Sequence, residues 1–72
     1  MHEVKTANGR VVYVALQPDA MFDEYGYYYE VFADENGDDL IDWGNTYDAK
    51  ESYESALDWL IGVIEISEYN FV

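Results

Sequence analysis

Apolar and polar residues along this chain change period once, from two-residue alternation to three- and four-residue spacing, near Lys50. In the first part, Val12, Val14 and Leu16 share one face of a strand and Val11, Tyr13 and Ala15 the other. Both sets are apolar, which predicts a strand covered on both sides. Pro18 has no amide to give to a ladder and ends that strand. Upstream, Asn8-Gly9 predicts a type I′ turn with positive φ at both central positions, pairing His2–Thr6 antiparallel to Arg10–Gln17. A connecting loop follows over Asp19–Gly26, pinned by Met21 and Phe22.

The run Tyr27–Ala33 is rich in the aromatic and β-branched types that suit a pleated surface, with Tyr27, Tyr29 and Val31 opposite Tyr28, Glu30 and Phe32. A turn over Asp34–Asp38 leads to a short fourth strand, Asp39–Gly44, whose Asp39 and Asp42 discourage edge-to-edge pairing. Beyond it, Tyr53, Leu57, Leu60, Ile61 and Ile64 form one helical stripe, widened by Ala56 and Val63. The helix is expected from about Asp48, capped with Glu51, to about Ser67. Gly62 inside it implies close approach to a neighbour, and the apolar tail Tyr69–Val72 is expected to pack back. The expected architecture is α+β: a three- or four-stranded antiparallel sheet with one C-terminal helix packed on one face, as a single domain over residues 1–72.

Composition bears on what such a fold is for. Half of the 72 residues are hydrophobic and 18% are aromatic, enough to fold despite the charge. Cysteine is absent, so packing alone must hold the small core. No apolar run approaches the ~18 residues that span a bilayer, and the start carries no basic-then-apolar leader, so a cytoplasmic, non-membrane protein is expected. Sixteen acidic residues face Lys5, Arg10 and Lys50 only, a formal net charge of −13. From Val11 to Ala49 there is no basic residue at all. Nucleic acid and anionic lipid are therefore poor direct partners, and a basic protein surface is a good one.

Catalysis finds few parts. His2 is the only histidine, at an end expected to fray, so a nucleophile-base pair lacks its base. No catalytic residue, metal ligand or cofactor site is assigned. Asp34, Asn36 and Asp38 alternate as in a calcium loop, but Asp39 and Asn45 stand where that loop needs glycine and a bidentate glutamate, so an Asx-rich hairpin turn is the preferred reading. Tyr25, Tyr27, Tyr28, Tyr29 and Trp43 have the types of a base-stacking platform, yet their surroundings are acidic. They read as sheet packing, with exposed members anchoring a protein interface.

What remains is the acidic surface. Glu51, Glu54, Asp58 and Glu65 recur at helical offsets along one face, with axial gaps of ~4.5, 6 and 10 Å at a rise of ~1.5 Å per residue. That is sparser than the ~3.4 Å between charges of one DNA strand. A second row is expected from Asp19, Asp23 and Glu24 in the loop and Asp34, Glu35, Asp38, Asp39 and Asp42 in the hairpin. In size, lack of cysteine, tyrosine content and acidity the chain resembles the phage-encoded DNA-mimic inhibitors of anti-CRISPR and anti-restriction type. That resemblance implies inhibition by occupying the basic channel of a nucleic-acid-binding protein or complex. Separately, a monomer or an isologous homodimer burying exposed tyrosines or the open sheet edge is expected. The competing expectation is an acidic interaction module, or a halophile-type domain whose charge serves solubility; mimicry requires acids gathered on one face, and solvation spreads them.

Overall fold

The computed structural model describes residues 1–18, 26–46 and 51–69. Four strands, β1 (His2–Lys5), β2 (Val11–Pro18), β3 (Tyr27–Phe32) and β4 (Leu40–Asn45), form one antiparallel sheet in sequence order, followed by the helix α1 (Tyr53–Glu65). The α+β expectation holds, with four strands. The predicted anchors Met21 and Phe22, the loop acids and Tyr25 lie outside the described residues, as do Asp48 and the last residues of the tail.

The β1–β2 and β3–β4 hairpins each carry Asn-Gly, but neither makes the type I′ turn expected of Asn8-Gly9. Among the described residues only glycines have positive φ, 81° at Gly9 and 76° at Gly37. At the first hairpin Gly9 N–H donates to Thr6 O and Thr6 N–H to Arg10 O, leaving a three-residue loop with Gly9 left-handed. This is the three-residue hairpin in which a type I turn is followed by a left-handed residue. One glycine absorbs the unfavourable dihedral and asparagine avoids it. At the second hairpin Gly37 N–H donates to Asp34 O at 3.3 Å, and Ala33 N–H to Asp39 O closes the loop.

The core lies between α1 and one sheet face. Val4, Val12, Val14 and Val31 meet Leu60 and Ile64, all but Val4 with no exposed surface. Burying Leu60 or Ile64 contributes about 1.5–3 kcal/mol each. The helical row at the centre of the contact is Ala56, Leu60, Ile64, while Tyr53 is exposed. Trp59 joins from the flank, its ring edge-on to Tyr29 with centroids 6.5 Å apart. The expected double coverage of β2 does not occur: Val12 and Val14 are buried, but Val11 on the other face is exposed. Helix α1 covers one side of the sheet, and among the described residues no second helix covers the other.

Three further expectations are corrected. The helix starts at Tyr53, with Ser52 as its cap: Ser52 Oγ accepts Ser55 N–H at 3.1 Å. Serine in an extended conformation satisfies a helical amide as well as aspartate does, worth about 1 kcal/mol. Gly62 meets no neighbour; a Cβ built there has nothing within 4 Å. His2 is held in β1 opposite Val14, and its Nε2 lies 3.3 Å from Tyr53 Oη. Tyr53 in turn stands edge-on to Tyr27, so the start of the helix is tied to the sheet by aromatic contacts.

Of the tail expected to pack back, Tyr69 is described and does so, together with Ser67 before it. Ser67 Oγ donates to Val63 O, Ala7 N–H donates to Ser67 O at 2.9 Å, and Asn8 Nδ2 donates to Tyr69 O at 3.3 Å. Tyr69 reaches the core margin.

Candidate binding face

Strand alternation decides which side chains point away from the helix. Register pairs Glu3 with Tyr13, Tyr13 with Phe32 and Phe32 with Leu40, and in the next row Ala15 with Glu30 and Glu30 with Trp43. Paired residues in a sheet share a face, and Val31 marks the opposite one as core. The open face therefore carries Val11, Tyr13, Ala15, Phe32, Leu40 and Trp43 together with Glu3, Lys5 and Glu30, and Gln17, Tyr28 and Asn45 continue it. Trp43 is 65% exposed and Leu40 44%.

A bulge in β4 produces this arrangement. Val31 pairs with Asp42 and Phe32 with Leu40, leaving Ile41 unmatched between them. Ile41 packs against the core while Leu40 stays on the open side. The extra residue adds local twist and re-aims the strand.

The turn between β3 and β4 leans over the open face. A Cβ on Gly37 would lie 3.4 Å from Met1 Cε and 3.9 Å from Phe32 Cε1. The hairpin acids thereby approach the strand acids. Tyr13 records this: its hydroxyl is pushed above the ordinary phenol value, first by loss of solvent, then by the negative charge of Glu3, Glu35 and Asp34, with Glu3 also its hydrogen-bond acceptor. Three carboxylates remote in sequence act on one phenol.

The expected acidic positions divide into groups. Glu35, Asp38 and Asp39 are exposed on the hairpin. Asp34 is occupied by its own turn, with Oδ1 accepting Asp38 N–H at 3.0 Å and Asp39 N–H at 2.8 Å. These amides hold its carboxyl below the usual aspartate range. Asp42 is half-buried on the core side of β4. Its Oδ1 accepts Trp43 N–H and its Oδ2 accepts the Tyr69 hydroxyl. Glu54, Asp58 and Glu65 are exposed on α1, directed away from the sheet, with Glu51 exposed just ahead of the cap. The sheet separates these helix acids from the hairpin acids. Asp19, Asp23 and Glu24 lie outside the described residues.

Glu3 and Glu30 were not among the acids singled out from sequence. The signal was available in the alternation, since each flanks a core valine, Val4 or Val31, and so must point the other way. Trp43, one of the aromatics noted from sequence, stands on this face opposite Glu30.

Among the described residues, no group of three or more His, Asp or Glu side chains is arranged to hold a metal ion, and no helix is long and apolar enough to cross a membrane. The open face offers exposed apolar surface bordered by carboxylates, which suits binding through combined burial and charge. Comparison with protein-family models, curated proteins and solved structures finds no match for this chain.

Proposed function

We propose that this domain is an inhibitor-type binding protein that occupies a basic nucleic-acid-binding surface on another protein or complex, with the open sheet face and its hairpin as the contact. The observation that carries this reading is the convergence of Glu3, Asp34 and Glu35 on Tyr13, on a face that also exposes Trp43 and Leu40. A net charge of −13 repels nucleic acid and attracts the proteins that bind it. Carboxylates replacing phosphates would compete for the same lysines and arginines, and the competition would weaken with salt. CRISPR-Cas and restriction complexes are partners of this chemistry, in keeping with the compositional resemblance to DNA-mimic inhibitors.

The test is a pull-down from bacterial lysate with the tagged full chain, washed at rising salt and repeated with excess duplex DNA. Retention of a nucleic-acid-binding protein that DNA displaces is the expected result. Combined Glu3→Lys, Glu30→Lys and Glu35→Lys should abolish it, whereas Glu54→Lys with Asp58→Lys should leave most of it. A partner indifferent to DNA would replace mimicry with a general acidic interaction module.

A second reading, solvation by an acidic coat, draws on Glu54, Asp58 and Glu65, which face solvent on the side away from the hairpin. Under it the helix and sheet variants lose solubility alike and nothing basic is retained.

A further inference from the structure

The open sheet face has a chemistry more specific than negative charge. Trp43 sits on the edge strand with most of its surface in solvent, and its cross-strand neighbour on the same face is Glu30. One row away, Tyr13 lies between Glu3 and Phe32. Each carboxylate is thus flanked by an aromatic ring, with directly paired side chains about 4.5–5.5 Å apart at Cβ. Leu40 and Phe32 complete a continuous apolar floor between the two pairs.

Two candidate occupants fail on charge. A second copy of this chain would set Glu3, Glu30 and Glu35 of one protomer against the same acids of the other, within a pair of bodies each at −13. A purely apolar segment would desolvate Glu3 and Glu30 without giving them a counter-charge, and Lys5 on the same face, opposite Val11, stands two rows away from Glu30 and Trp43. Charge complementarity requires a cation.

Between the two cationic side chains, geometry discriminates. The lysine ammonium is a compact, strongly hydrated charge and keeps its water beside a flat ring. Arginine is planar and weakly hydrated; it stacks on an indole or phenol while its N–H fork reaches a carboxylate at the ring's edge. A tryptophan beside a glutamate and a tyrosine beside a glutamate are seats for guanidinium.

We infer that the open sheet face docks an arginine-rich segment of its protein partner, seating guanidinium groups at Trp43–Glu30 and Tyr13–Glu3. This rests on the proposed function for its direction of charge and deepens it by naming the residue that the face recognises.

The experiment is calorimetric titration of the full chain with two peptides of equal length and charge, nona-arginine and nona-lysine, at physiological salt. The arginine peptide is expected to bind at least about tenfold more tightly. Trp43→Ala should bring the arginine peptide to the level of the lysine peptide while leaving the lysine affinity nearly unchanged. Trp43 is exposed, so folding of that variant is expected to persist and is checked by circular dichroism. Glu30→Gln should weaken the arginine peptide more than Glu54→Gln does. Equal binding of the two peptides, or equal losses from Trp43→Ala on both, would overturn the inference, as would sedimentation showing a dimer that buries Trp43. The pull-down reports on the proposed function separately: a DNA-displaced partner together with equal peptide affinities would leave mimicry standing and remove the arginine seats.

Discussion

The Tyr69 hydroxyl donates to Asp42 Oδ2 at 3.0 Å, joining the segment after the helix to the edge strand of the sheet. Loss of solvent, then the hydrogen bond and charge of Asp42, push the phenol well above its ordinary value. A raised pKa in the fold favours the neutral phenol there. The associated stability is full below the unfolded value of about 10 and is lost as pH rises through the folded value. Urea unfolding should therefore show stability falling above pH ~10 more steeply in the wild type than in Tyr69→Phe. At neutral pH that substitution should cost about 1 kcal/mol. Identical alkaline slopes would exclude this link.

Gly44 stands opposite Tyr29, and a Cβ there would lie 2.8 Å from Tyr29 Oη and 3.0 Å from Cζ. Strand propensity alone favours replacing glycine, yet the ring would have to move off its contact with Trp59. Gly44→Ala is expected to destabilise by about 1–3 kcal/mol in chemical denaturation. No loss would mean that the ring swings aside freely.

Gly62 is the opposite case. It is exposed in mid-helix with open space around the position of a Cβ. Gly62→Ala should raise stability by about 1 kcal/mol, measured by the shift of the urea midpoint at constant slope. A decrease would reveal a contact at this position.

Asp34 organises the second hairpin through the amides of Asp38 and Asp39. Its depressed pKa means that the stabilisation is present above the unfolded value of about 3.9 and is lost as pH falls through the folded value. Asp34→Ala should accelerate hydrogen exchange at Asp38 and Asp39 at neutral pH, and the difference from wild type should vanish in strong acid. Protection unchanged at neutral pH would show that the backbone bonds of the turn suffice.

Self-repulsion at −13 should make stability salt-dependent. Raising ionic strength from about 0.01 M to 1 M shortens the screening length from about 30 Å to 3 Å. The melting temperature should climb across that range and change little with a neutral osmolyte of the same osmolality. A flat salt profile would mean that the acids are too dispersed to interact.

Much of the fold was readable before the structure. The alternation over Val11–Leu16 and Tyr27–Phe32 and the change of period after Lys50 placed strands and helix correctly, because burial on a face enforces the pattern that reveals it. The turn type at Asn8-Gly9 was not readable, since the same dipeptide serves a two-residue and a three-residue hairpin, and strand register chooses between them. Nor was the start of the helix: Asp48 and Ser52 are both capping residue types, and Ser52 Oγ accepts the Ser55 amide at the first turn. The reading of Gly62 failed because a glycine signals either close packing or indifference, and only the surroundings distinguish the two.

The acidic surface shows the same division. Charge, its sign and the lack of compensating cations follow from residue identities alone, and they determine which kind of partner the domain can attract. Where the charge gathers is a tertiary matter. Asp34 and Asp42, alike in sequence to Asp38 and Asp39, are taken up by a turn and by Tyr69, while Glu3 and Glu30 emerge beside Tyr13 and Trp43. A carboxylate's identity is local, but its hydrogen bonds and its neighbours across strands depend on register, on the bulge at Ile41 and on which sheet face α1 covers. Those are set by packing between segments far apart in the chain.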